Sequence, residues 1–217
     1  MPKTHKKINK EYFRIAIFGS ARTKRNDPRY KKVHNLAKEI AEEGLDIVTG
    51  GGPGLMDAAS RGHHRGRKKS KIQDPYSIGL TITLPHEQKD AFHLDIKKHF
   101  NRFSNRLDTF MELSNVVIVT SGGIGTLLEL MYSWQLLQVG QVKDVPIILL
   151  GNEWRGLLKW IKKEMLGKKF ISKKDFDFIF MAKNNKEAMK LIKEFYGDYV
   201  VKRHISADFN RFRLHKI

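Results

Sequence analysis

The chain has 217 residues, of which 41% are hydrophobic, so it is long and apolar enough to form one α/β domain with a sizeable core. It contains no cysteine, which excludes disulfides and thiolate chemistry, and no apolar run approaches the length of a membrane span. No signal peptide is recognisable either, so the expected location is cytoplasmic. The net charge of +18 indicates a lysine-rich solvated surface, with an anionic small substrate or a nucleic-acid partner as sharper alternatives.

The first strand and helix follow a basic tail at residues 1–12. Residues 13–18 form a short apolar run that predicts a buried strand, and this run ends in Gly19-Ser20. Open α/β folds bind ligands beyond the carboxyl ends of their strands, so Ser20 is a candidate ligand contact, with a tight turn as the structural alternative. Residues 28–43 then predict an amphipathic helix.

A second junction of the same kind follows a strand predicted at residues 46–49. Gly50, Gly51 and Gly52 come directly before Pro53, a residue that is tolerated at the start of a helix. Gly51 and Gly52 are therefore candidate ligand contacts, because a backbone without side chains allows close approach. The structural alternative for these glycines is close packing of the helix on its strand.

A basic run occupies residues 61–71, which contain no acidic residue. This composition predicts an exposed insertion before the next strand. Its two histidines, His63 and His64, are adjacent, so on a helix they cannot face one metal ion together. No metal site is predicted here or elsewhere in the chain.

The third strand is predicted at residues 76–84, and the loop after it carries Glu87. A helix predicted over residues 102–112 carries Arg106. A single arginine on a helix is most often solvated, so the pattern alone does not assign Arg106 to a site.

The most informative stretch is residues 116–129. Its β-branched residues predict a buried strand, and Gly122, Gly123 and Gly125 then lead into a helix. Unpaired N–H groups at a helix start lie at the positive end of the helix dipole, and this combination suits a phosphate. Thr126 is predicted to cap the helix and to offer its hydroxyl to the same anion.

Glu129 lies one turn into this helix, near any ligand that the glycine loop holds. The structural alternative is a capping box, in which Glu129 bonds back to the N–H of a cap at Thr126.

The rest of the chain predicts alternating helices and strands and then a basic extension. The helix that follows Glu129 is apolar nearly all the way round, whereas packing on one sheet needs only one apolar stripe. A homodimer or higher homo-oligomer is therefore expected, with Trp134 and Leu137 on the partner-facing side. The predicted elements are helices at 127–139, 156–165 and 185–196, strands at 145–150 and 178–181, and the extension at 201–217.

Taken together, these motifs resemble the LOG (Lonely Guy) family of nucleotide phosphoribohydrolases, often labelled lysine decarboxylases. The likeness extends over roughly residues 13–163 and is strongest in Gly-Gly-x-Gly-Thr-x-x-Glu at 122–129 and in the glycine block that starts at Gly50. Glu87 occupies a position that the family links to substrate binding. Arg106 aligns with the arginine of the family's Arg-Lys pair.

This sequence departs from the family pattern at four positions, the first of which is Ala91, where the family usually has an asparagine. Leu107 replaces the lysine of the Arg-Lys pair, Ser121 replaces a proline and Leu128 replaces a glutamate. None of these changes removes the glycines or Glu129. The pattern and the resemblance both imply an α/β fold, Rossmann-like, with an open parallel sheet and helices on both faces in a single domain over residues 13–200.

The resemblance further implies hydrolysis of the N-glycosidic bond of AMP or an N6-modified AMP, with Arg106 and Glu129 as catalytic residues. It implies a small-molecule nucleotide substrate and a dimer, and no metal or other cofactor. A non-catalytic nucleotide- or cofactor-binding protein on the same fold is the alternative. An RNA-associated protein is less favoured, because no stacking-aromatic module is recognisable.

Two other activities are disfavoured by the residues. A pyridoxal phosphate enzyme needs a Schiff-base lysine in its site, and the only His-Lys pairs lie in the tails. A dinucleotide-dependent dehydrogenase is disfavoured because the loop from Gly19 to Arg22 lacks the Gly-x-Gly-x-x-Gly pattern.

Overall fold

The computed structural model describes residues 12–70, 74–83, 91–142 and 145–201. The predicted basic tail and C-terminal extension lie outside these ranges except for Tyr12 and Val201 at their inner ends. Glu87 also lies outside the described residues.

In these ranges, seven strands form one parallel sheet. They are β1 (Arg14–Phe18), β2 (Asp46–Thr49), β3 (Ser77–Ile82), β4 (Ile96–Phe100), β5 (Val116–Val119), β6 (Ile147–Leu150) and β7 (Ile179–Ala182). Their order across the sheet is β4-β3-β2-β1-β5-β6-β7, so β1 pairs with both β2 and β5. The chain therefore winds away from β1 in both directions, and the strand order reverses beside β1.

Among the described residues there are six α-helices, of which five connect strands and the sixth follows β7. They are α1 (Pro28–Glu42), α2 (Leu55–Arg67), α3 (Phe103–Leu113), α4 (Ile124–Gln138), α5 (Arg155–Trp160) and α6 (Asn185–Val200). A π-helical turn, Ile161–Leu166, continues α5, and a short 3₁₀ helix, Lys173–Phe176, precedes β7.

The sheet carries an apolar core on each face, since side chains alternate between the two sides of a strand. On one face, Leu36 of α1 and Leu191 of α6 belong to the same buried cluster as Ile15. On the other face, Phe110 of α3 and Leu130 of α4 belong to a second cluster. Covering helices on both faces explain why the central strands are apolar throughout, and they confirm the predicted Rossmann-like α/β class.

The prediction of an exposed insertion at residues 61–71 is wrong up to Arg67, because α2 continues through them. Gly62 and Gly66 are buried where α2 meets α1. A Cβ on Gly62 would lie 2.7 Å from the carbonyl carbon of His34 and closer still to its oxygen. The two glycines thus let the helices approach closely, while Arg65 of the same run is exposed.

His63 belongs to this same interface and is fully buried. Its Nε2 lies 2.9 Å from the carbonyl oxygen of Leu45. Burial lowers the pKa of His63 to about 4, so the ring is neutral at physiological pH. The histidine is therefore a packing residue of α2.

Strand β4 is not predicted by the sequence pattern. Its residues include Lys97, Lys98 and His99, all of which are exposed. As the edge strand it needs no second neighbour, and charged side chains are common on such edges because they prevent pairing with other chains. The pattern of alternating apolar residues is consequently missing.

The close approach of α1 and α2 can be tested with Gly62→Ala. We expect the variant to lose at least about 2 kcal/mol of unfolding free energy, since the new methyl group must push the α1 backbone away. The matched control is Gly197→Ala in α6, where a Cβ would meet nothing within 4 Å. That change should be neutral or should stabilise by up to about 1 kcal/mol through helix propensity. Equal denaturation midpoints for the two variants would contradict the packing described here.

Candidate functional site

The loops at the carboxyl ends of β1, β2 and β5 meet at a cleft of about 520 Å³. This is the point where the strand order reverses, at which open α/β sheets commonly bind ligands. The described residues that line the cleft are Gly19, Ser20, Ala21, Arg22, Gly50, Gly51, Gly52, Met56, Thr81, Ile82, Phe103, Arg106, Gly123, Ile124, Gly125, Thr126 and Glu129.

Most of the predicted site residues meet in this one cleft. Arg106, Glu129, Ser20, Gly51, Gly52, Gly123, Gly125 and Thr126 all line it. Gly122 lines a neighbouring cleft instead, and Glu87 is outside the described residues. Chain segments that are far apart in sequence are thus brought together by the parallel sheet.

The start of α4 presents backbone donors to the cleft. Gly123 is the N-cap residue and no side chain caps the helix. A Cβ on Gly123 or Gly125 would meet no atom within 4 Å, so both glycines border open space. The first N–H groups of a helix have no partner within the helix, and here no cap satisfies them. They are available to an anion at the positive end of the helix dipole.

Thr126 does not cap the helix, so that prediction is wrong. Because α4 begins at Ile124, Thr126 lies within the first turn, where its side chain is buried against Gly122. A capping box that joins Thr126 to Glu129 is therefore excluded. Glu129 lies deeper in the helix, where it has a different partner.

That partner is Arg106 of α3. Its Nη1 lies 3.4 Å from Oε1 of Glu129, and the two side chains are only 9% and 13% exposed. The guanidinium also donates from Nε to the carbonyl oxygen of Leu80, 2.7 Å away, and lies over the ring of Phe110. These contacts fix the arginine at the wall of the cleft, next to the carboxylate.

Gly50 makes room for this arginine. A Cβ at this position would lie 2.6 Å from the sulfur of Met56 and would collide with the guanidinium of Arg106. The first glycine of the block therefore serves the arginine, while Gly51, with φ of +67°, makes the turn into the loop.

Burial changes the ionisation of the pair. It raises the pKa of Glu129 to about 7, although the positive charge of Arg106 opposes the rise. Burial also lowers the pKa of Arg106, and Glu129 opposes that change. Arginine still keeps its proton at neutral pH because its ordinary pKa is so high. Glu129 can therefore gain or lose a proton near neutrality, which is the property of a group that takes part in acid–base chemistry.

A second buried carboxylate, Asp57 of α2, organises the wall of the cleft. It accepts hydrogen bonds from the Tyr30 hydroxyl at 2.7 Å, from Nε of Arg61 at 2.9 Å and from the Phe92 amide at 3.1 Å. The amide of Ala91 in turn donates to the carbonyl oxygen of Gly51 at 2.7 Å. Asp57 thereby ties α1, α2 and the segment before β4 to the loop after β2.

Several residues of the cleft are not identified by the sequence patterns. Arg22, Thr81 and Ile82 follow or end strands, and Met56 begins α2. Phe103 is 48% exposed, which is unusual for a phenylalanine. It precedes Arg106 by one helical turn, so the spacing of the two residues could have placed it on the same side of α3.

Comparison with known proteins places the chain in a family. A family model described as possible lysine decarboxylase matches residues 56–192, which is more than half of the chain. The chain belongs to this family. The resemblance to LOG proteins, which the motifs indicated, is thereby confirmed.

A curated relative of this LOG-family chain is the pyrimidine/purine nucleotide 5′-monophosphate nucleosidase of Escherichia coli K12, with 29% identity over 132 residues. The match covers 58% of this chain and 28% of that protein, so the chain spans little more than a quarter of its relative's length.

Two solved structures share the fold of this LOG-family chain. The molybdenum cofactor binding protein of Rippkaea orientalis has a TM-score of 0.60 and 22% identity, and the match covers 85% of this chain and 98% of that one. The molybdenum cofactor carrier protein of Chlamydomonas reinhardtii has a TM-score of 0.58 and 19% identity, with 86% and 99% coverage. At these identities the likeness shows the fold alone.

The prediction that Trp134 and Leu137 of the LOG-family chain face a partner is wrong. Both are buried in the chain's own core, where the Trp134 ring packs edge-on against Phe176. The apolar residues that α4 does expose are Ile124, at 83%, and Leu128, at 45%.

Within the ranges that the structure describes, no cluster of three or more His, Cys, Asp or Glu side chains could hold a metal ion. Over the same residues, no helix is long and apolar enough to cross a membrane.

The raised pKa of Glu129 predicts how the stability of the LOG-family chain depends on pH. The folded chain binds the Glu129 proton more tightly than the unfolded chain, whose pKa is near the ordinary 4.5. The resulting stabilisation is complete below about pH 4.5 and is lost as pH rises through 7. Relative to Glu129→Gln, the wild type should lose up to about 3 kcal/mol across this window. Parallel pH profiles of unfolding free energy for the two proteins would contradict the assignment.

Proposed function

We propose that this chain hydrolyses the N-glycosidic bond of a nucleoside 5′-monophosphate, AMP or an N6-modified AMP, to a free base and ribose 5-phosphate. The observation that carries the proposal is the buried Arg106–Glu129 pair, one helical turn beyond an uncapped glycine loop in a cleft of nucleotide size. A protein that only binds a nucleotide requires the glycine loop but not this pair. A buried carboxylate with a raised pKa is typical of a group that takes part in catalysis.

The phosphate would bind at the start of α4. A Cβ on Gly123 or Gly125 would meet no atom within 4 Å there, and Gly122 and Thr126 complete the loop. Glu129 follows Gly125 by four residues, about 6 Å along the helix axis. A 5′-phosphate on the loop would therefore bring the ribose next to the carboxylate. The apolar side chains of Met56, Ile82 and Phe103 supply a surface for the base.

The reaction adds water to C1′ of the ribose as the bond from C1′ to the base nitrogen breaks. The electron pair of that bond stays with the nitrogen, and the base leaves with one proton, so the net reaction consumes one water molecule. Positive charge develops on the sugar ring during this step. The Glu129 carboxylate would stabilise that charge or take a proton from water, and Arg106 would hold the carboxylate in position.

The comparisons support this class of reaction, because the Escherichia coli relative is named as a nucleotide 5′-monophosphate nucleosidase. Lysine decarboxylation, the activity named in the family description, fits the residues of the cleft less well. Among the described residues that line it there is no lysine to form the Schiff base that a pyridoxal phosphate decarboxylase requires.

The direct test is to incubate the purified protein with a panel of nucleoside 5′-monophosphates and to measure free base by chromatography. AMP should release adenine, and adenosine should react at least about a hundredfold more slowly because it lacks the group that the glycine loop holds. Equal rates for AMP and adenosine would refute the phosphate assignment. Tight binding of AMP without release of base would establish the alternative, a nucleotide-binding protein.

The role of Glu129 is tested by Glu129→Gln. This variant keeps the shape of the side chain and removes its charge, so turnover should fall by a factor on the order of a hundred or more. The control variant Gln135→Glu also changes the charge of α4 by one unit, but at an exposed position. It should keep full activity. A folded Glu129→Gln variant with wild-type turnover would exclude the catalytic role.

We further propose that the chain forms a homodimer through α4. Ile124 and Leu128 are one turn apart and exposed, so they form one apolar face. Light scattering should return twice the mass of one chain, and Leu128→Glu should shift the equilibrium toward monomer. Val200→Glu, at an exposed apolar site on α6 across the sheet, should not. A monomeric wild type at micromolar concentration would rule out the dimer.

A further inference from the structure

A second cleft adjoins the candidate site, and the proposed reaction does not use it. Its volume is about 590 Å³, similar to that of the first. The two clefts share Ser20, Arg22 and Gly123, so they are continuous across the start of α4. A nucleoside monophosphate held by the glycine loop would fill the first cleft and leave the second one empty.

The second cleft is rich in groups that bind anions. Three cationic side chains, Arg22, Lys24 and Arg29, line it together with one carboxylate, Asp27. Asp27 is already engaged, since both of its oxygens accept hydrogen bonds from Arg29, at 2.9 and 2.6 Å. Among the described residues, neither Arg22 nor Lys24 forms an ion pair.

The remaining lining is polar. Thr23, Asn26 and Ser121 offer hydroxyl or amide groups, and Gly122 adds backbone next to the uncapped start of α4. A second carboxylate, Glu153, accepts a hydrogen bond from the Ser121 hydroxyl at the rim. The balance of charge in the lining still favours an anion.

From these observations we propose that the second cleft binds a second phosphate group, joined to the first as a pyrophosphate. The ligand class is therefore a nucleoside 5′-diphosphate or a larger nucleotide with the same linkage. The inference rests on the proposed function for the position of the first phosphate, on the loop at Gly123. That loop borders both clefts, so a substituent on the 5′-phosphate that points away from Glu129 enters the second cleft. Lys24 is the cationic side chain that lines the second cleft alone and has no carboxylate partner among the described residues.

The test measures binding by calorimetry in a Glu129→Gln background, in which nucleotides are not expected to turn over. ADP should bind at least about tenfold more tightly than AMP. Lys24→Ala should weaken ADP binding about five- to tenfold and change AMP binding by less than about twofold. The matched control is Lys31→Ala, an exposed lysine of α1 outside both clefts, which should alter neither affinity.

The comparison of ADP with AMP is repeated with inorganic pyrophosphate and phosphate. These ligands have no base, so the result does not depend on which base the site prefers. Pyrophosphate should bind more tightly than phosphate, and Lys24→Ala should remove most of the difference. ADP that binds no better than AMP, or a Lys24→Ala effect of equal size on both, would overturn the inference. If the wild-type protein still releases adenine from AMP in that case, the proposed function stands without it. Conversely, tight, Lys24-dependent binding of pyrophosphate, together with a wild-type protein that releases no base, supports the second cleft and refutes the hydrolase.

Discussion

The burial of an arginine and a glutamate side by side constrains the rest of this structure. Removing two charges from water is expensive, and their attraction repays the cost only when the geometry is good and further hydrogen bonds are made. Here the Leu80 carbonyl binds the guanidinium, the Phe110 ring lies beneath it, and the missing side chain of Gly50 leaves it space. Residues from β2, β3, α3 and α4 must therefore keep their relative positions for the pair to exist.

The local patterns of the sequence are sufficient for the parts of the fold that obey local rules. The strand at Val116–Val119 and the glycines after it are predicted because parallel strands are apolar throughout and tight turns into helices favour glycine. The same rules mislead at α2, where glycines and charges resemble a loop. Those glycines are there because α1 packs against them, which is a contact between distant segments. The edge strand β4 is missed because a strand with one neighbour carries few apolar residues.

The candidate site, too, is predictable from the sequence only where it depends on local patterns. The glycine loop is visible in the sequence, whereas the pairing of Glu129 with Arg106 spans 23 positions and becomes apparent only once α3 lies beside α4. The capping-box alternative depends on where α4 begins, and a shift of three residues removes it. The orientation of Trp134 and Leu137 is equally hidden, since α4 is apolar on most of its surface and periodicity does not distinguish the side that faces the sheet.

Asp57 and Glu129 are both buried acids, yet they respond to burial in opposite ways. For Asp57, burial alone would raise the pKa, but donors from Tyr30, Phe92 and Arg61 together lower it. Its hydrogen bonds thus persist through the range of pH in which Glu129, with a single ion-pair partner, changes its charge. A change of pH can therefore alter the charge of the cleft while the hydrogen bonds of Asp57 stay in place. The carboxylate that titrates near neutrality is thus separate from the carboxylate that holds the surrounding elements together.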